Sequence, residues 1–168
     1  IGGNDIGFIP VLQACGSTDQ RDCDDALAKA RQALSLLPDS LDKVYDRVAK
    51  KAPNARVAVI GYPRLFDRKD CSPLIDVTRP EMRNLNAVAD ELSRVIEKQA
   101  HEARFQYVDV RDEFDGHAIC TPKPYINTLI PPPSMWFVDS FHPNRDGYAA
   151  YAREVSASLT HRDSDRPW

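Results

Sequence analysis

Two side chains near the C-terminal end of the chain have the types and spacing of a catalytic base and its partner. In the stretch VDSFHPN, residues 138–144, Asp139 precedes His142 by three positions. In a turn, this spacing lets the carboxylate accept a hydrogen bond from imidazole Nδ1, which fixes the tautomer and leaves Nε2 free to take a proton. The alternative is a helix-entry turn in which both side chains bond only to the backbone, and the stretch by itself favours that alternative.

A second candidate is the turn at the other end of the chain, IGGND, residues 1–5. Glycine allows the backbone to approach a ligand closely, and Asn4 carries an uncharged amide N–H that could stabilise a developing oxyanion. Glycine, asparagine and aspartate are equally typical of ordinary surface turns. This stretch alone therefore does not separate a site from a turn.

Apolar residues at helical spacing predict that most of the chain between these two stretches is helical. Apolar spacing predicts a helix over residues 26–37, which Pro38 interrupts, and a second helix that Ser40 caps. The polar residues 17–25 predict a loop before them. Thr78 and Glu81 have the capping-box spacing at the start of a long amphipathic helix. Asn144 can cap a final helix, whose apolar side is predicted to carry Tyr148, Ala152, Val155 and Leu159.

Two β-branched runs lie between these helices, at residues 55–63 and 105–110. Strands that alternate with helices predict the α/β class with a parallel sheet. Two strands are too few for such a sheet, and the opening turn should follow another strand, so we expect N-terminal strands to be missing from this chain. Residues 1–160 are predicted to form the C-terminal part of one domain, and residues 161–168 a tail.

The composition limits the classes of function. The 168 residues carry a net charge of −3 and are 28% charged, which gives no general attraction to nucleic acid. No apolar run approaches the roughly 18 residues of a membrane span. Calcium-loop, nucleotide-binding and Cys-x-x-Cys patterns are absent from the sequence, so we expect no metal and no cofactor. Four separated cysteines favour two disulfides in an exported protein, against the alternative of four buried thiols in a cytosolic domain.

The two candidate stretches together, on an α/β pattern, resemble the SGNH hydrolases, also called GDSL-type esterases and lipases. Gly2, Asn4 and Asp5 match one motif of that family, and Asp139 and His142 match another. The resemblance implies a flavodoxin-like three-layer αβα fold that hydrolyses carboxylic esters through a serine. It implies that His142 is the general base, Asp139 its orienter and Asn4 an oxyanion donor. It also implies that Asp5 supports the turn with Gly2. In some members a backbone carbonyl before the histidine takes the place of the aspartate.

The cysteine spacing is similar to that of secreted actinobacterial members of the family. It implies the disulfides Cys15–Cys23 and Cys71–Cys120, and a secreted protein. The chain departs from the family pattern because it holds no Gly-Asp-Ser motif, so the serine nucleophile is expected upstream of residue 1.

We therefore expect an esterase or lipase acting on a small-molecule or lipid ester. It would be complete only with its missing N-terminal segment and monomeric when intact. The alternatives are a non-catalytic remnant that binds a ligand or partner, and a deacetylase of sugar esters.

Overall fold

The fold is described from a computed structural model over residues 1–16, 19–67, 77–128 and 140–161. The helices are α1 (Phe8–Cys15), α2 (Gln20–Lys51), α3 (Arg79–Glu102) and α4 (Arg145–His161). The strands are β1 (Ala58–Ile60) and β2 (Gln106–Val108), followed by a short 3-10 turn at Asp112–Phe114. Within these ranges, no helix combines the length and apolarity that a membrane-spanning segment requires.

The two strands pair in parallel, with Val59 opposite Tyr107. Successive strand side chains point to opposite faces of a sheet. On one face, the Gln106 amide donates to the carbonyl of Ser158 in α4 at 2.6 Å. On the other face, Tyr107 lies beside Ser93 of α3, and α2 packs along α3. The strands therefore lie between helices on both sides, which confirms the predicted three-layer αβα class with a parallel sheet.

Helix α2 runs unbroken through Pro38, so the predicted interruption at Pro38 and the predicted cap at Ser40 are wrong. Four buried side chains keep one helical phase across the proline: Leu34, Leu37, Leu41 and Tyr45. Proline inside a helix costs about 3 kcal/mol because it removes an N–H donor and crowds the preceding turn. Each large apolar side chain that is buried returns about 1.5–3 kcal/mol, so the packed stripe outweighs the proline.

Helix α2 also begins earlier than predicted, because residues 20–25 are helical and not part of a loop. The Asp19 side chain caps the helix by accepting a hydrogen bond from the Arg21 N–H at 3.0 Å. Cys23 lies in the start of this helix and forms a disulfide with Cys15 at the end of α1. The disulfide fastens α1 to α2. Cys71 lies outside the described residues, so the Cys71–Cys120 pairing stays a prediction.

Removal of the Cys15–Cys23 disulfide, by a double substitution to alanine in the intact protein, is expected to lower the free energy of unfolding by about 2.5 kcal/mol, from the entropy of closing a short loop. Urea denaturation measures the change. The matched control is Asp24→Ala, at the exposed neighbour of Cys23, with an expected change within about 0.5 kcal/mol.

Trypsin cleaves after Arg21, between the two cysteines, so non-reducing peptide mapping should recover the two flanking peptides as one linked species. Separate peptides, or a double variant as stable as the control, would contradict the pairing.

Both predicted helix caps at α3 and α4 are present. The Thr78 N–H donates to the Glu81 carboxylate at 2.6 Å, completing one side of the capping box. The Asn144 side-chain oxygen accepts hydrogen bonds from the N–H groups of Asp146 and Gly147, at 2.9 and 3.0 Å. These side chains replace the backbone partners that the first turn of a helix lacks.

The predicted apolar side of α4 is rotated from the observed one. Tyr148 is 60% exposed and Ala152 is exposed, while Val155 and Leu159 are partly buried. The inward residues are Ala150, which is fully buried, and Tyr151, whose ring packs edge-on against Phe114. Packing against the loop after β2, and not the periodicity of α4 itself, sets this orientation. Helix α4 ends at His161, and residues 162–168 of the predicted tail lie outside the described residues.

Candidate active site

A cavity of about 390 Å³ lies beyond the carboxyl end of β1, the position where open α/β sheets bind ligands. The opening turn forms one wall with Asn4, and the segment before α4 forms another with His142. Tyr62, just after β1, and Tyr151 of α4 also line it. The fold thus brings two sequence-predicted residues from opposite ends of the chain to one cavity.

The tautomer of His142 follows from its backbone neighbour. Its Nδ1 lies 3.1 Å from the carbonyl oxygen of Ser140. A carbonyl oxygen can only accept, so this bond places the ring proton on Nδ1 and leaves the lone pair on Nε2. The imidazole is exposed on the cavity side of the chain. Asp139, the predicted orienter, lies outside the described residues, and its role stays a prediction.

Backbone hydrogen bonds to residues 125–127 hold the segment that carries His142. The Asn127 N–H donates to the His142 carbonyl at 2.9 Å, and the Phe141 N–H donates to the Asn127 carbonyl at 3.0 Å. Phe141 has φ 63°, a left-handed conformation that a bulky residue keeps only when its surroundings impose it. The two hydrogen bonds supply that constraint, so the backbone that carries the His142 side chain is fixed.

Gly147 allows the first turn of α4 to pack directly against Tyr125. A Cβ at this position would lie 2.2 Å from the Tyr125 carbonyl oxygen, which excludes any other residue without a shift of the backbone. The Asn144 side chain donates to the Pro124 carbonyl at 2.6 Å beside it. The first turn of α4 is therefore in direct contact with the segment that anchors His142.

The opening turn is held by its own side chain. Gly2 has φ 108°, and a Cβ there would approach Leu92 to 3.1 Å, so only glycine fits without strain. The Gly2 N–H donates to the Asp5 carboxylate at 3.1 Å. The Asn4 carbonyl accepts from the Gly7 N–H at 3.1 Å, and the Asn4 side chain is exposed at the cavity. The turn can therefore present an amide donor to a bound group.

Two tyrosines of the cavity wall were not predicted from the sequence. Tyr62 accepts a hydrogen bond from the Gly3 N–H at 3.2 Å. Burial raises the pKa of Tyr151, so its hydroxyl stays protonated at neutral pH. The position of Tyr62 directly after a parallel strand was a usable signal, because the carboxyl ends of strands line ligand sites. Tyr151 carried no such signal.

A larger cavity of about 820 Å³ lies on the other side of the segment after β1. Three of its charged side chains pair with one another, because Asp90 accepts from Arg64 at 3.1 Å and from Arg111 at 3.4 Å. Arg111 also bonds to the neighbouring Asp109, and this bond is the main cause that lowers the pKa of Asp109. Neither Asn4 nor His142 lines it, so the smaller cavity is the candidate active site.

His117 has a structural role instead of a place in the site. Its ring stacks on Tyr125 with a centroid distance of 3.8 Å, and its Nδ1 lies 2.8 Å from the Lys123 carbonyl. It does not appear among the residues that line the smaller cavity.

The sequence matches the model of the GDSL-like lipase/acylhydrolase family over residues 1–150. The chain belongs to this family. It is 34% identical over 161 residues to a lipase from Streptomyces rimosus, an alignment that covers 95% of this chain and 58% of that protein. The chain therefore spans little more than half the length of this curated relative.

Solved structures of family members share the fold. The crystal structure of the extracellular lipase from Streptomyces rimosus superposes with a TM-score of 0.85 at 32% identity, over 94% of this chain and 66% of that one. Phospholipase A1 from Streptomyces albidoflavus superposes with a TM-score of 0.82 at 32% identity, over 96% of this chain and 66% of that one. Both matches agree with the three-layer αβα architecture of the chain.

Proposed function

We propose that the protein hydrolyses carboxylic esters with a serine nucleophile that lies upstream of residue 1. The observation that carries this proposal is that Asn4 and His142 line one cavity in a chain of the GDSL-like lipase/acylhydrolase family. Similarity to proteins named lipase and phospholipase A1 supports an acyl ester as the substrate.

The residues of the site share the steps of this mechanism. His142 Nε2 takes the proton of the attacking serine hydroxyl and delivers it to the leaving alcohol. It then takes a proton from the water that hydrolyses the acyl-enzyme and returns it to the serine. Asp139 is the predicted orienter of the ring, and the Ser140 carbonyl, whose oxygen lies 3.1 Å from Nδ1, is the alternative. The Asn4 amide donates to the oxyanion of the tetrahedral intermediate, while Asp5 and Gly2 keep the turn closed.

The protein is further proposed to be exported and to act as a monomer once its N-terminal segment is present. The Cys15–Cys23 disulfide supports an oxidising compartment, as does the likeness to an extracellular lipase. A non-catalytic remnant and a sugar-ester deacetylase remain the alternative functions.

Labelling with a fluorophosphonate tests the proposal directly, because this reagent reacts with activated serines. The protein that carries residues 1–168 with its native upstream segment should hydrolyse p-nitrophenyl butyrate, and the adduct should map to an upstream serine. Residues 1–168 alone should show neither activity nor adduct, and adding the upstream segment should restore both.

Other outcomes would contradict the upstream nucleophile or favour one of the alternative functions. An adduct within residues 1–168 would contradict an upstream nucleophile. Absence of both hydrolysis and labelling in the intact protein would favour the remnant. Release of acetate from acetylated sugars without activity on longer acyl esters would favour the deacetylase.

A further inference from the structure

We propose that Tyr62 is a positioning residue that sets the orientation of Asn4, an inference that rests on the proposed oxyanion role of Asn4. The Tyr62 hydroxyl accepts a hydrogen bond from the N–H of Gly3 at 3.2 Å. Gly3 directly precedes Asn4 in the chain. A bond that fixes the Gly3 N–H therefore limits the position of the Asn4 backbone, and with it the directions in which the Asn4 side chain can point. Tyr62 itself faces the same cavity as Asn4 and His142.

The contact between Tyr62 and Gly3 is close along the ring edge. A Cβ added to Gly3 would lie 3.1 Å from the Tyr62 oxygen and 3.3 Å from two ring carbons. Such distances are tighter than nine in ten real Cβ contacts, so a larger residue at position 3 would require the Tyr62 ring to move by a few tenths of an ångström. This contact favours glycine at position 3.

Tyr62 is in turn fixed to the core through Ser93. The Tyr62 N–H donates to Ser93 Oγ at 3.2 Å, and the Ser93 hydroxyl donates to the Tyr62 carbonyl at 3.2 Å. Ser93 is fully buried in α3. Buried polar groups with satisfied partners stay in one geometry, so α3 holds the Tyr62 backbone in place. The hydrogen bond from the Gly3 N–H connects the opening turn to this fixed residue.

The other bonds of the turn complete the fixation on both sides of Asn4. The Gly3 carbonyl accepts from the Phe8 N–H at 3.0 Å, and Asp5 accepts from the Gly2 N–H at 3.1 Å. The bond that the Gly3 N–H donates to Tyr62 ties the turn to the segment between β1 and α3. An oxyanion donor has to be held within about 0.5 Å of its productive position, and Tyr62 provides this restraint.

Kinetics of the intact protein, with its native upstream segment, test the inference on p-nitrophenyl butyrate. Tyr62→Phe keeps the ring and removes only the hydroxyl. It should lower kcat about tenfold through misplacement of the donor, with KM within about twofold. Because Tyr62 acts through Asn4, the double variant Tyr62→Phe/Asn4→Ala should be no slower than Asn4→Ala alone, within about twofold.

The matched control is Tyr45→Phe, because the buried Tyr45 hydroxyl has no hydrogen-bond partner within the described residues. Its kcat should stay within about twofold of the parent. If Tyr62→Phe does not fold, as judged by its melting temperature, Ser93→Ala replaces it in the same comparison with and without Asn4→Ala. We expect the same dependence on Asn4 there, because the substitution frees the Tyr62 backbone.

Three results would overturn the inference: an unchanged kcat in Tyr62→Phe, a change in KM alone, or the same loss of kcat with and without Asn4. The His142→Ala variant separates these from failure of the proposed function. An inactive His142→Ala variant with an unaffected Tyr62→Phe variant rejects only the role of Tyr62. A His142→Ala variant as active as the parent rejects the esterase mechanism, and the role of Tyr62 falls with it.

Discussion

Replacement of His142 by alanine is expected to reduce kcat for ester hydrolysis by more than about 10³-fold in the intact protein, because the serine loses its general base. The Ser140 carbonyl holds the Nδ1 proton, so Nε2 is the free basic nitrogen. Steady-state kinetics on p-nitrophenyl butyrate, with single-turnover measurement of acylation, would show whether the loss lies in the chemical step.

The matched control for this variant is His101→Ala. His101 is an exposed histidine in the last turn of α3, and its removal should leave kcat within about twofold. An Asp139→Ala variant separates the two candidate orienters. A loss within about tenfold assigns the role to the Ser140 carbonyl, whereas a loss close to that of His142→Ala assigns it to Asp139. Retention of the parent rate by His142→Ala would exclude the proposed mechanism.

Replacement of Asn4 by alanine should lower kcat by about 10²–10³-fold, the usual effect of removing one oxyanion donor. KM should change little, because the bond to the substrate oxygen strengthens mainly in the transition state. The turn itself should persist, since its closing bonds involve the backbone and Asp5 and not the Asn4 side chain. Kinetic constants measured beside those of Asn54→Ala, at an exposed asparagine, isolate the effect. A loss below tenfold would contradict the oxyanion role of Asn4 and indicate that residues 1–5 form an ordinary turn.

The sequence predicted those parts of the fold that depend on neighbouring residues. The Thr78–Glu81 capping box and the Asn144 cap were readable because their hydrogen bonds join residues within three positions of each other. The parallel pairing of β1 and β2 followed from strands that alternate with helices. The Cys15–Cys23 disulfide came instead from the resemblance to a family, since spacing alone leaves three possible pairings of four cysteines.

The errors arise where tertiary packing decides. A proline is a helix breaker by local rules, but the buried stripe that crosses Pro38 without a change of phase carries α2 through it. Periodicity places Tyr148 on the inward side of α4. In the structure, α4 is rotated so that Tyr151 faces inward and packs against Phe114. The contact of Tyr62 with Gly3 was missed because the two residues lie 59 positions apart in the chain.

The anchoring of His142 by residues 125–127 has a consequence for how this part of the chain can vary. Phe141, His142 and Asn144 are bonded to Asn127 and Tyr125 by backbone groups, which every residue type except proline can supply. Residues 125–127 and 141–144 are therefore held beside each other by bonds that do not depend on their side chains. Proline at position 127, 141 or 144 would remove one of the donating N–H groups and release the segment that carries His142.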